Sequence, residues 1–177
     1  MYFDKFPIIP YDSVGDLQFK DVTNLLRRVG LRAKLKSNTA LFDTYSVKEG
    51  ETPEMIAHKL YGDSNLHFVI MLLNDITDRY HQWPMSFIQF NQYLNDKYSN
   101  PDGIHHYEKP QSSGDTKVKI EIFNEVDEDA YTGLTPITNR EYEESEQDRK
   151  REIRLLDPKY VDQFVDEYQR LISETII

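Results

Sequence analysis

The sequence predicts an α+β fold, and three observations predict it. Apolar residues recur at three- and four-residue steps in several segments bounded by caps and glycine stops. Elsewhere they alternate with polar residues over a few positions. The two kinds of segment follow one another irregularly and in short pieces, without the regular succession that builds a parallel sheet. No internal repeat or low-complexity tract interrupts the 177 residues, the scale of one ordinary domain or a small domain with long appendages.

The chain opens with Phe6-Pro7-Ile8-Ile9-Pro10-Tyr11, apolar and held extended by two prolines, an arm that needs a surface to lie on. Val22, Leu25, Leu26 and Val29 then follow helical spacing, with Arg27 and Arg28 on the opposite side and Gly30 as the stop. Leu31 to Leu35 alternates apolar with basic residues and reads as a short strand, as does Leu41 to Val47. Gly50 closes a turn, Thr52 stands where an N-cap belongs, and Pro53 and Glu54 suit a first helical turn. Met55, Ile56, Ala57 and Leu60 give that helix its stripe and Gly62 ends it. Asp63 or Ser64 caps a second helix through Leu73, apolar nearly all round and so buried on more than one side.

A third helix begins after Pro84 with Ser86 as cap and carries Phe87, Phe90, Leu94 and Tyr98, and Asn100-Pro101-Asp102-Gly103 ends it. Gln111 to Asp115 is a polar loop, Lys117 to Phe123 a strand, and the acidic stretch through Tyr131-Thr132-Gly133 a loop. Glu141 to Arg151 is polar enough to be a helix only if charge pairs or a partner hold it. Glu152 to Leu156 reads as a strand. Asp157 caps a last helix with Pro158 at its first position and an apolar stripe from Tyr160 to Ile172, which buries itself against the acidic-loop region or beside a partner helix. The expected divisions are 1–40 (arm, helix and strand), 41–98 (core with its following helix) and 99–177 (strand, acidic loop and helix).

Composition removes several function classes. With no cysteine there are no disulfides, thiolate metal sites or cysteine nucleophiles. Mean hydropathy is −0.68, and the most apolar run, Phe68 to Leu73, is far short of the ~20 apolar residues of a spanning helix. The first residues lack the basic and apolar regions of an export signal, so the protein is expected to stay in the cytoplasm where it is made. A net charge of −10 disfavours non-specific nucleic-acid or anionic-membrane binding. Lys20 to Lys36 nevertheless carries six bases against one acid, and Glu121 to Glu152 eleven acids against four bases. Such zones steer assembly against oppositely charged surfaces, join two ends of one molecule, or are plain solvated faces.

Taken together, Tyr45-Ser46-Val47-Lys48-Glu49-Gly50-Glu51-Thr52, Ile56-Ala57, Leu60-Tyr61-Gly62 and Asn74 resemble the LysM module. That resemblance implies a βααβ arrangement with two helices on one face of a two-stranded sheet. Where the second strand should follow Asn74, the sequence runs Asp75-Ile76-Thr77-Asp78-Arg79-Tyr80-His81-Gln82-Trp83-Pro84 without the usual glycine-containing ending. Together with Val22 to Arg28, Leu41-Phe42-Asp43, Phe87 to Tyr98 and Arg151 to Pro158, this is similar to the small LysM-containing baseplate wedge subunits of T4-like contractile-tailed bacteriophages. The resemblance implies a central LysM-like βαα(β) module and a structural, non-enzymatic role in the virion tail baseplate. There the subunit joins wedge core subunits to adjacent wedges around the tail tube, with no cofactor and no small-molecule substrate, and is assembled in the host cytoplasm.

The residues expected to carry such contacts are Phe6, Ile8, Ile9 and Tyr11 of the arm, Arg27, Arg28 and Arg32 of the basic zone, and Trp83, which is a partner anchor or a lid on the core. On that reading the arm is separable, so removing the residues before Lys20 leaves the body folded. The alternative is glycan binding, because LysM modules elsewhere hold N-acetylglucosamine polymers between two turns. By position that groove takes Gly50, Glu51, Thr52 and Pro53 on one side and Asn74, Asp75 and Ile76 on the other. The plainer reading makes the same residues a turn, a cap and a stop. His58, His67, His81, His105 and His106 form no convincing metal set, the last two because adjacent side chains tend to diverge. Asp78 near His81 has no accompanying nucleophile, phosphate loop or oxyanion motif, which removes the enzyme reading.

Overall fold

Pro7 and Pro10 do hold the start of the chain extended, and the computed structural model, which describes residues 5–26, 29–30, 41–110, 117–120 and 132–174, makes that start a strand. Strand β1 (Ile8–Tyr11) pairs antiparallel with β2 (Lys20–Thr23), Ile9 lying opposite Val22 and Pro10 opposite Asp21. The helix expected from Val22 is therefore replaced by a strand end and a turn at Leu25 and Leu26. Four apolar residues are too few to fix a period, and the β-branched Val22 and Thr23 suit a strand. Asn24 then takes the Leu26 N–H on its side chain at 3.2 Å, turning the chain. The strand expected at Leu31 to Leu35 lies outside the described residues.

The arm is anchored to the body at Phe6. Phe6 is buried in one core with Phe68, Val69, Leu73, Leu156, Val161, Tyr168 and Ile172. Its ring is a large apolar payload, and the hairpin that follows emerges from it.

Next comes β3 (Phe42–Ser46), then a turn with Gly50 at φ +73°. The Thr52 hydroxyl accepts the Met55 N–H at 3.3 Å, Pro53 takes the first position of α1 (Pro53–Tyr61), and Gly62 ends it at φ +77°. Asp63 is the second cap, accepting the Asn65 N–H at 2.8 Å. The first turn it opens, Ser64–Leu66, is 3₁₀ before α2 (His67–Leu73) begins. Ile56 and Ala57 of α1 and Phe68, Val69, Ile70 and Leu73 of α2 are buried. One turn of helix not expected from the sequence, α3 (Arg79–Gln82), follows.

In the second compact unit, residues 83–151, Ser86 and Gln89 form a reciprocal capping box at the start of α4 (Phe87–Lys97). Phe90 and Leu94 of its stripe are buried, whereas Phe87 is exposed. Strands β4 (Ile104–Pro110), β5 (Lys117–Ile120) and β6 (Thr135–Thr138) make an antiparallel sheet in the order β5-β4-β6. Of these only β5 falls where a strand was expected. The polar helix α5 (Asn139–Arg151) is held by charge and hydrogen bonds, as its composition requires. The buried Glu143 carboxylate accepts from Lys97 Nζ at 2.6 Å and from the Tyr98 hydroxyl at 2.8 Å, and buried Gln147 accepts the Met85 N–H at 2.9 Å.

Residues 152–177 return to the first unit, residues 1–82. Strand β7 (Glu152–Leu156) pairs antiparallel with β3, from Phe42 opposite Leu156 to Ser46 opposite Glu152. Asp157 caps a 3₁₀ turn, Pro158–Tyr160, that opens α6 (Val161–Glu174). The stripe of α6 packs in the core shared with α2 and Phe6, the Tyr168 ring lying 5.1 Å from that of Phe68. The acidic stretch against which this helix was expected to pack, residues 121–131, lies outside the described residues.

The Asp157 N–H bonds to the Leu41 carbonyl at 3.1 Å, which sets the phase of the β3-β7 ladder so that Arg154 and Leu156 turn their backbone groups away from β3. Side chains meet them there. Asn74 donates to the Arg154 carbonyl at 2.9 Å and accepts its N–H at 2.8 Å. The Tyr61 hydroxyl donates to the Leu156 carbonyl and accepts its N–H, both at 3.1 Å, and burial pushes its pKa up to about 12. The outer edge of β7 is sealed by two side chains standing in for a third strand.

Asn74→Ala leaves the Arg154 N–H and carbonyl without these partners, and urea unfolding should register a loss of about 1–2 kcal/mol. Burial raises the pKa of the Glu143 carboxyl, but Lys97 and Tyr98 outweigh it and hold the group below its ordinary 4.5. The stability it contributes is therefore complete above that value and lost as pH falls through the lower folded value. Glu143→Gln should lower stability at pH 7 by about 2 kcal/mol, Lys97 being half-exposed, and flatten the acid limb of a Tm-against-pH profile.

Candidate docking surface

The β1-β2 hairpin leaves much apolar surface in water. Ile8, Tyr11, Val14, Leu17, Phe19, Leu25 and Leu26 are all exposed, Val14 at 81%, Leu17 at 82% and Leu26 at 93%. Scattered apolar residues on a surface need no explanation, but a run of them on one hairpin makes it a candidate docking surface. The hairpin tip is also ordered. The Asp12 carboxylate collects the N–H groups of Val14 at 3.1 Å, Gly15 at 2.6 Å and Leu17 at 2.8 Å. The Gly15 N–H, with those of Leu17 and Val14, holds the Asp12 carboxyl below the usual carboxylate range despite some desolvation. Gly15 sits at φ +83° and Leu17 at φ +64°, the latter an uncommon conformation for a side-chain-bearing residue, maintained by this clamp.

Of the residues expected to meet partners, Ile8 and Tyr11 are exposed, Ile9 is half-buried, and Phe6 belongs to the core. Trp83 is buried at 5% exposure, which leaves little of its ring for a surface contact. Arg27, Arg28 and Arg32 lie outside the described residues. Sequence reasoning missed Val14, Leu17 and Phe19, whose signal was apolar residues set among the turn formers Asp12, Ser13, Gly15 and Asp16.

The positions of the expected glycan groove are engaged within the fold. Glu51 accepts from the Tyr45 hydroxyl at 2.7 Å and the Lys48 N–H at 3.0 Å, Thr52 caps α1, Pro53 is buried, and Gly50 makes its turn. Asn74 spends its amide on Arg154 and on the Ile70 carbonyl. Asp75 stands at φ +56° in the stop of α2, and the Ile76 N–H bonds to the Met71 carbonyl at 2.8 Å. Arg79 reaches Glu54 at 3.0 Å, tying the segment after α2 to the first turn of α1.

His105 and His106 do not diverge. The β4-β6 register shifts between Ile104 and His106, so His105 is an extra residue in a bulge, and both rings meet Tyr142 of α5. His105 stacks on Tyr142 at 4.0 Å, His106 meets it edge-on at 5.8 Å, and the two Nδ1 atoms share a hydrogen bond of 2.8 Å. This is packing chemistry. Among the described residues no group of three or more His, Asp or Glu is placed to hold a metal ion, and no helix is long and apolar enough to cross a membrane.

A family model described as base plate wedge protein 53 matches residues 3–115, well over half of the chain and the whole of the hairpin. No curated protein matches it.

Asp12→Ala should speed amide hydrogen exchange at Val14, Gly15 and Leu17 while leaving the midpoint of global unfolding in place, since the clamp is local to the tip.

Proposed function

Because the chain belongs to the base plate wedge protein 53 family, we propose that it acts as a clamp in the phage baseplate, docking on wedge core subunits through the β1-β2 hairpin and linking neighbouring wedges around the tail tube. The family is a structural component of the wedge, so its place is the virion tail baseplate and its partners are other baseplate proteins. The observation that carries the finer reading is the ordered apolar tip. Val14 and Leu17 are held outward by a buttressed turn, and a pre-ordered apolar contact costs less entropy on binding than a mobile one. Arms on one body also add weak contacts through effective concentration.

Strands β3 and β7 with α1 and α2 are read as the LysM-like βααβ module, its last strand arriving from residue 152. Asn74 then serves the module as an edge seal, and the engagement of Glu51, Thr52 and Asn74 within the fold favours a scaffold over a sugar groove.

The test incubates the purified chain in parallel with a wedge core complex assembled without it and with insoluble peptidoglycan, and assays both pellets. Capture by the wedge is expected. The double variant Val14→Asp with Leu17→Asp, whose sites are exposed and so leave folding intact, should bind the wedge about tenfold or more weakly. Capture by peptidoglycan alone overturns the clamp and returns the site to Gly50–Pro53 and Asn74–Ile76.

A further inference from the structure

Two imidazole nitrogens that face each other at hydrogen-bond distance have room for one proton between them. The Nδ1 atoms of His105 and His106 are 2.8 Å apart, so one is an N–H donor and the other a bare acceptor. His106 is 3% exposed, and its second nitrogen, Nε2, lies 3.5 Å from Glu108 Oε1. A carboxylate only accepts, which places a proton on His106 Nε2. In the neutral pair the other proton then sits in the gap, given by His105 Nδ1 to the bare His106 Nδ1. One more proton has a place, on His105 Nε2, the nitrogen outside the gap that is still bare. The singly charged pair keeps the same gap bond, with three N–H groups on four nitrogens.

A second charge has only the gap to enter, and two N–H groups cannot share it. Turning the His105 ring over leaves the buried His106 N–H without its acceptor, and turning His106 over also gives up Glu108. The bulge and Tyr142 hold both rings where they are, His105 stacked at 4.0 Å and His106 edge-on at 5.8 Å. The groups around the pair do not relieve it. Lys117 of β5 holds the Glu108 carboxyl below its ordinary range at 2.8 Å, against some desolvation, so Glu108 stays ionised and is already engaged with Nε2. Tyr98, whose ring lies 6.5 Å from His105, gives its hydroxyl to Glu143 of α5, which Lys97 also holds. From β6 the residue opposite His106 is the uncharged Ile137. All of these residues belong to the second compact unit.

We propose that the His105–His106 pair is a proton-operated latch on the β4 bulge, closed while the pair carries at most one charge and opened by the second proton. In the open form the two rings leave each other and Tyr142, and the β4-β6 ladder parts at that end. The open form binds one proton more than the closed form, so acid favours opening and neutral pH favours closure. The edge of β7 is built differently, because its seals are the amide of Asn74 and the phenol of Tyr61, which take up no proton over the range in which imidazoles titrate.

The test follows amide hydrogen exchange of the full chain from about pH 7.5 to about pH 5, expressed as protection factors so that the pH dependence of exchange chemistry itself is removed. Protection of the paired amides of β4 and β6 should be level at the upper end and fall about tenfold per pH unit below about pH 6, the slope of one proton taken up on opening. His105→Asn puts an amide at the Nδ1 position, which by turning over either donates to neutral His106 or accepts from its charged form. His106 is then charged without opening, so the slope should vanish even where the lost stacking on Tyr142 lowers protection throughout. Protection in the parent chain that stays level across the range overturns the latch whether or not the variant folds. So does an unchanged slope in His105→Asn, or nitrogen-15 spectra that show both rings with two N–H groups while β4-β6 protection is intact.

Discussion

The pairing of β3 with β7 is the constraint on which the first unit depends. A two-stranded ribbon is marginal alone, and this one closes a loop of roughly a hundred residues. Closing so long a loop costs little more than closing a shorter one, because the entropy grows only with the logarithm of length. The remaining problem is the outer edge of β7, and Tyr61 at the end of α1 and Asn74 at the end of α2 solve it with four hydrogen bonds to two residues. The helices therefore do more than cover a face of the ribbon. Their C-terminal residues hold its second strand, and α6, which follows that strand, is brought against Phe68 and Phe6.

Seen from that closure, the protein divides into edges that are finished and edges that are left open. Pro10 blocks β1 and two side chains seal β7, whereas among the described residues no strand pairs with the outer side of β2, and the apolar tip beyond β1 is exposed. A subunit that works only inside an assembly has a use for such surface, because its partners complete it. The family to which the chain belongs is one of assembly components, and its match spans the hairpin.

The second unit applies a different economy. Its last helix is too polar to be held by an apolar stripe, and its two buried polar residues reach across to other elements, the Glu143 carboxylate accepting from Lys97 and Tyr98 and the Gln147 Oε1 from the Met85 N–H. The bulge at His105 turns two neighbouring imidazoles to one tyrosine, a placement that strand alternation alone would forbid.

By itself the sequence determined what short-range chemistry determines. Thr52 with Pro53, Gly62, Asp63 or Ser64, Ser86, and Asp157 with Pro158 start and stop helices through bonds made within a few residues, so their outcome was legible before any tertiary contact. The order of these signals also carried the family resemblance. Only the tertiary structure decided that β7 is the partner of β3, that Asn74 seals an edge, that Phe6 belongs to the core, and that Val22 lies in a strand. Backbone donors and acceptors are alike at every residue but proline, so sequence names the segments able to pair without naming the partner. That choice falls to the closed set of long-range contacts, in which the outward-facing groups of Arg154 and Leu156 meet Asn74 and Tyr61.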